Sequence, residues 1–193
     1  MIYSLLGKLA SIHKGFLVVE CGGVGYRVCA NARTLSALPP LASEVKLFCH
    51  HYVREDQEEL FGFLDEHTRS FFELLISISG VGPKTALGVL DLDLVPNIMA
   101  AILEKRVDLL SSAPGIGKKT AERIIVELQN KITVPHSEVL TKAMDVNRET
   151  EEALLGLGYP RPEIVHALKV AESVGTTVEE RLRAALKELG RKK

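Results

Sequence analysis

Over the first sixty or so residues apolar and polar positions alternate, in "YSLLGKLASI", "GFLVVEC", "GYRVCA", "EVKLFCHHYV" and "ELFGFL". A period of two puts one face of each segment in a core and predicts strands. Turn signals separate them at His13 to Gly15, at Gly22-Gly23 and in "ALPPLAS". Five short strands in this length predict a small closed or Greek-key barrel of the OB type over residues 1–65. Its aromatics are Tyr3, Phe16, Tyr26, Phe48, Tyr52, Phe61 and Phe63, and the alternation directs several of them to the core.

From His67 the period changes to that of helices. "TRSFFELLISIS", "VPNIMAAILEKR" and "TAERIIVELQNKI" are amphipathic, and residues 66–132 read as an all-helical domain. Residues 133–147, "TVPHSEVLTKAMDVN", hold a proline, few large apolar residues and no clear period, and are expected to be a flexible linker. Residues 148–193 then predict three short helices, punctuated by Gly158, Pro160 and Gly175. A unit so small is marginal alone and often exists to bind something. The expected class is α+β multidomain: barrel, helical domain, three-helix domain.

Within the helical domain one phrase is written twice, "SGVGPKTA" from Ser79 and "PGIGKKTA" from Pro114, with a spacing of 35 residues. Each follows an apolar run and opens a helix. Gly80, Gly82, Gly115 and Gly117 leave no side chain between the turn and an approaching group, with Val81 and Ile116 between them. The next helix starts with unpaired N–H groups and a partial positive charge, a combination that binds phosphate. Lys84, Lys118 and Lys119 add charge, and Thr85 and Thr120 add hydroxyls. Pro83 removes one N–H donor from the first copy. Such a site reads backbone rather than base edges. A G-x-G turn also serves simply to reverse the chain, and the duplication in register favours the phosphate reading. A nucleotide P-loop fails on spacing, because Gly117-Lys118 is followed by Lys119 and Pro83 separates Gly82 from Lys84.

Charge restricts where nucleic acid would bind. The net charge is −1, and Lys+Arg against Asp+Glu is 6 to 7 in residues 1–65, 8 to 8 in 66–135 and 10 to 10 in 136–193. With no basic surface, any DNA contact must be local. "VREDQEELFGF" places Glu55 and Asp56 where the fourth strand turns into the fifth. They are either a solvated turn or carboxylates that repel phosphates and hold strands apart. Cys21, Cys29 and Cys49 form no C-x-x-C pair and read as small core residues, with no zinc or other metal site indicated. The N-terminus shows no charged leader before an apolar core, and no apolar run approaches the roughly 18 residues of a membrane span. A cytoplasmic location without membrane association is expected.

The barrel with "HHYVREDQEELFGF", the paired helix-hairpin-helix phrases "SGVGPKTA" and "PGIGKKTAERIIVEL", the loose segment and the small helical end together resemble the RuvA family. The opening "MIYSLLGKL" and "VGYRV" extend that resemblance over essentially the whole chain. The resemblance implies a Holliday-junction-binding subunit of a branch-migration machine in recombination and repair, without catalysis or cofactor. It implies a homotetramer, or two tetramers face to face as an octamer. Carried over, Gly80, Gly82, Lys84, Gly115, Gly117, Lys118 and Lys119 hold minor-groove phosphates, and Glu55 and Asp56 form an acidic pin at the crossover. The last domain, UBA-like, docks on the RuvB ATPase, with Leu157 and Leu168 as candidate contacts, and the RuvC resolvase joins the same complex.

Two rival readings belong to other classes. A helix-hairpin-helix base-excision glycosylase resembles "PGIGKKTAERI" and can use a lysine at position 119, but it requires a catalytic Asp further along, and Thr120 to Met144 contains none. It also needs a base-flipping pocket. A single-strand-binding OB protein needs exposed aromatics for base stacking. A pure protein adaptor would account for the C-terminal unit but leaves the repeated phrase without a purpose.

Overall fold

The computed structural model describes residues 1–132, 137–172 and 177–190. Strands β1 (Ser4–His13), β2 (Phe16–Cys21) and β3 (Val24–Cys29) form a meander, followed by the short helix α1 (Ala32–Ser36), β4 (Glu44–Val53) and β5 (Glu58–Phe63). They close into a barrel in the order β1-β2-β3-β5-β4, antiparallel throughout except for the parallel β3–β5 pair. A register shift between Leu9 and Ser11 marks a bulge in β1, which bends the strand so that it pairs with both β2 and β4. Leu9, Leu17, Val19, Val28, Leu47 and Cys49 fill the interior. Burial raises the Cys49 thiol to about 11, so it stays protonated. Gly62 marks close packing inside the barrel: a Cβ there would lie 2.4 Å from Val28 Cγ1.

The helical domain follows as α2 (Glu66–Ile76), α3 (Pro83–Leu90), α4 (Val95–Leu103), α5 (Val107–Leu110) and α6 (Lys118–Leu128). Asp65 caps α2, accepting hydrogen bonds from Thr68 N and Oγ1, both at 2.7 Å. The barrel and this domain share a core. Because β5 alternates, Leu60 points into the barrel while Phe61 and Phe63 point out of it, against Phe72 of α2 at ring distances of 5.2 and 5.0 Å. These two aromatics are thus buried outside the barrel rather than within it. A second tie runs through Asn31, whose amide donates to Leu90 O at 3.0 Å, and Asp91, whose Oδ1 accepts from Ala32 N at 2.7 Å. Burial raises the Asp91 carboxyl, and these backbone donors oppose that shift.

The expected linker is not what the described part of that segment forms. Helix α7 runs over Ser137–Gly156, and residues 133–136 lie outside the described residues. Met144 of α7 is 5% exposed and belongs to the helical domain's core. Beside it, Arg106 makes bidentate contact with Asp145, at 2.8 Å for both Nη1 and Nη2, and also holds Asp108. Arg148 contacts both aspartates at 3.4 Å. The far end of α7 joins α8 (Arg161–Glu172) and α9 (Val178–Gly190) in a separate core of Leu154, Ile164, Ala167, Ala171, Ala185 and Leu189. Gly158, at φ 87°, ends α7, with Tyr159 N donating to Leu154 O and Gly158 N to Leu155 O. The class is therefore α+β: a five-strand OB-like barrel, a helix-hairpin-helix domain and a C-terminal helical domain.

Candidate nucleic-acid interface

The two repeated phrases fold to the same turn. Ile78 to Val81 and Ala113 to Ile116 are type II turns, each closed by a backbone bond from the fourth residue to the first, Val81 N to Ile78 O at 3.0 Å and Ile116 N to Ala113 O at 3.1 Å. That turn needs positive φ at its third residue, and Gly80 and Gly115 supply it with φ of 86° and 80°. Gly82 and Gly117 then cap α3 and α6 with nearly equal backbone angles, φ −86° and ψ 171° against φ −84° and ψ 167°. Neither helix start has a side-chain cap. Its first N–H groups are left to whatever approaches.

Pro83 occupies the first helical position, where a missing N–H costs the helix least, so the two copies keep one backbone geometry while the first has one N–H donor fewer than the second. Lys84 and Lys119 both hold the second position and are exposed, as is Lys118. Thr85 and Thr120 hold the third and are half-buried. Val81 and Ile116 are 4% and 5% exposed, with their N–H groups already committed to the turns. Their side chains anchor the turns in the core, because an aliphatic between two exposed glycines is what packs the turn down. Arg123, on which the sequence pattern alone places no role, is exposed on α6 and donates from Nη1 to Ser79 O of the first turn at 2.8 Å. Its place four residues after Lys119, on the same helix face, is the signal that finds it.

The β4–β5 hairpin closes with Arg54 N donating to Gln57 O at 2.8 Å, leaving Glu55 and Asp56 as its two tip residues. Both are exposed. At its base Ile2 N donates to His51 Nδ1 at 3.3 Å, so His51 Nε2 carries the proton that it shares with Glu58 at 2.8 Å. Glu58 is thereby held by the barrel, while the tip carboxylates project. A groove of about 470 Å³ separates this hairpin from the first turn and is lined by Tyr52, Arg54 and the stretch Ile76 to Pro83.

Elsewhere on the barrel cations lie over three of the aromatics. Arg27 lies 4.5 Å over the Phe16 ring, Lys46 5.0 Å over Phe48 and Arg69 4.0 Å over Tyr3. Tyr3 is 46% exposed and carries Arg69 over its ring, while a single-strand binder needs a row of open rings for successive bases. In the C-terminal domain Leu157 is 60% exposed, whereas Leu168 is half-buried against the three-helix core. Among the described residues no cluster of His, Cys, Asp and Glu could hold a metal ion, and no single helix is long and apolar enough to cross a membrane.

Three family models match successive parts of the chain: the RuvA N terminal domain at residues 1–62, a SAM-like helix-hairpin-helix tandem at 72–130, and the RuvA C-terminal domain at 145–190. A protein of Chlorobaculum tepidum named Holliday junction branch migration complex subunit RuvA is 42% identical over 194 residues, covering 96% of both chains. Its namesake in Neisseria meningitidis serogroup C is 42% identical, covering 98% of this chain and 99% of its own. That of Caldanaerobacter subterraneus is 38% identical, covering 99% and 100%. With matches of this identity along its full length, and with the barrel and paired turns those domains describe, the chain belongs to the RuvA family.

Proposed function

We propose that this protein is a non-catalytic scaffold that binds four-way (Holliday) junction DNA by its structure and not its sequence. The observation that carries the reading is the pair of turns: two bare helix starts of one conformation, each with an exposed lysine at the same helical position. Gly80, Gly82, Lys84 and Thr85 receive one phosphate, and Gly115, Gly117, Lys118, Lys119 and Thr120 the other. The relatives named as subunits of a Holliday junction branch migration complex support the choice of DNA.

Four copies around a fourfold axis match four DNA arms, so weak single sites add through multivalency. A tetramer, alone or paired as an octamer, brings the tip carboxylates of Glu55 and Asp56 together at the crossover. There they repel phosphates and keep the exchanging strands apart. The C-terminal domain recruits a RuvB-type ATPase through a face that includes the exposed Leu157, with a RuvC-type resolvase in the same assembly. The ATPase supplies the energy, and the work takes place in the cytoplasm with the DNA.

The double substitution Lys84→Ala with Lys119→Ala tests the phosphate sites. It is expected to weaken junction and duplex binding alike and to flatten the log–log salt dependence by about 0.9 for each phosphate that is no longer neutralised. An unchanged slope in a salt titration of binding would contradict the assignment.

A further inference from the structure

The groove beside the acidic hairpin has a cationic wall that the paired turns do not explain. Arg54 immediately precedes Glu55 and Asp56, yet among the described residues it forms no ion pair. Its Nε donates to Tyr52 Oη at 2.9 Å, and its guanidinium carbon lies 5.1 Å from the centre of the Tyr52 ring. Tyr52 is itself fixed, edge-on to the buried Phe61 at 6.3 Å. The aromatic ring and its hydroxyl therefore orient the guanidinium head from the barrel side and leave both terminal nitrogens open. Across the groove stand the exposed Gly80 and Gly82 of the first turn and the start of α3. A planar fork with four N–H donors left after the one given to Tyr52, and without an ion-pair partner, matches phosphate geometry.

We propose that Arg54 binds a backbone phosphate of the DNA strand that leaves the first turn and approaches the crossover, and that Tyr52 is its positioning residue. The inference rests on the junction reading above. At about 470 Å³ the groove has room for one sugar-phosphate unit of a strand. The hairpin then attracts the strand at its flank and repels it at its tip, which directs the backbone around the crossover instead of across it. A linear duplex held at the turns has no strand that bends toward the hairpin, so Arg54 acts on junctions alone.

The test is a salt titration of binding to a four-way junction and to a linear duplex, with the full chain and its Arg54→Gln, Arg54→Lys and Tyr52→Phe variants. Arg54→Gln is expected to weaken junction binding about tenfold and to lower its log–log salt slope by about one unit per engaged subunit, leaving duplex binding unchanged. Arg54→Lys keeps the slope and loses part of the affinity, because the charge remains without the fork. Tyr52→Phe keeps the slope with a smaller loss, since the ring still supports the guanidinium. Wild-type slope and affinity in Arg54→Gln, or an equal loss on duplex, overturns the phosphate site while leaving the functional reading in place. A parent protein that does not prefer junction to duplex overturns the functional reading, and the site with it.

Discussion

At the scale of single residues, the chemistry lies in which atoms are left unspent. The turn glycines expose backbone and the lysines project beside it, whereas Val81 and Ile116 have spent both side chain and N–H on the fold. Glu55 and Asp56 are unspent in the opposite sense, because the backbone closes the hairpin beneath them and His51 holds Glu58 in place of either. Substituting Glu55→Gln with Asp56→Asn should leave thermal unfolding unchanged and tighten non-specific duplex binding severalfold, since a repulsion is removed. Weaker duplex binding in a gel shift would count against the pin. The glycines, lysines and acidic pair are all legible in the sequence, because each sits in a short phrase whose chemistry is local. Arg54 with Tyr52 is not, because its meaning comes from a groove built by residues some twenty-five positions further on.

At the scale of elements, the strands and the helices α2, α4 and α6 follow from periodicity and α3 from the turn phrase that opens it, whereas the four-residue α5 and the long α7 do not. Among the described residues of the first half of α7, Met144 enters the core beside an ion cluster, so the helical period is weak where the helix docks. Phe61 and Phe63 escape the pattern for a related reason: alternation finds two faces of a strand but cannot tell which one a neighbouring helix covers. The docking has a pH signature. The Arg106 guanidinium holds the Asp145 and Asp108 carboxyls well below the usual range. Carboxyls lowered in the folded state stabilise it fully above their unfolded pKa of about 3.9, and that contribution fades as pH falls further. Asp145→Asn should therefore lower the unfolding temperature evenly from pH 5 to 8. The difference from the parent should narrow below about pH 4. A difference that persists undiminished at pH 2.5 would show that the ion cluster does not hold α7.

At the scale of the molecule, a net charge of −1 and nearly balanced segments mean that binding cannot come from a general field. In the function proposed above it comes from a few placed phosphate sites, repeated by symmetry, against a repulsive centre. On that reading the protein recognises branching, since a linear duplex reaches few of the sites. The central claim is tested most directly by a competition gel shift at moderate salt, offering the purified protein a four-way junction, a duplex and a single strand of the same sequences. Strong preference for the junction is the predicted result. Equal binding to duplex, or preference for the single strand, would contradict the account.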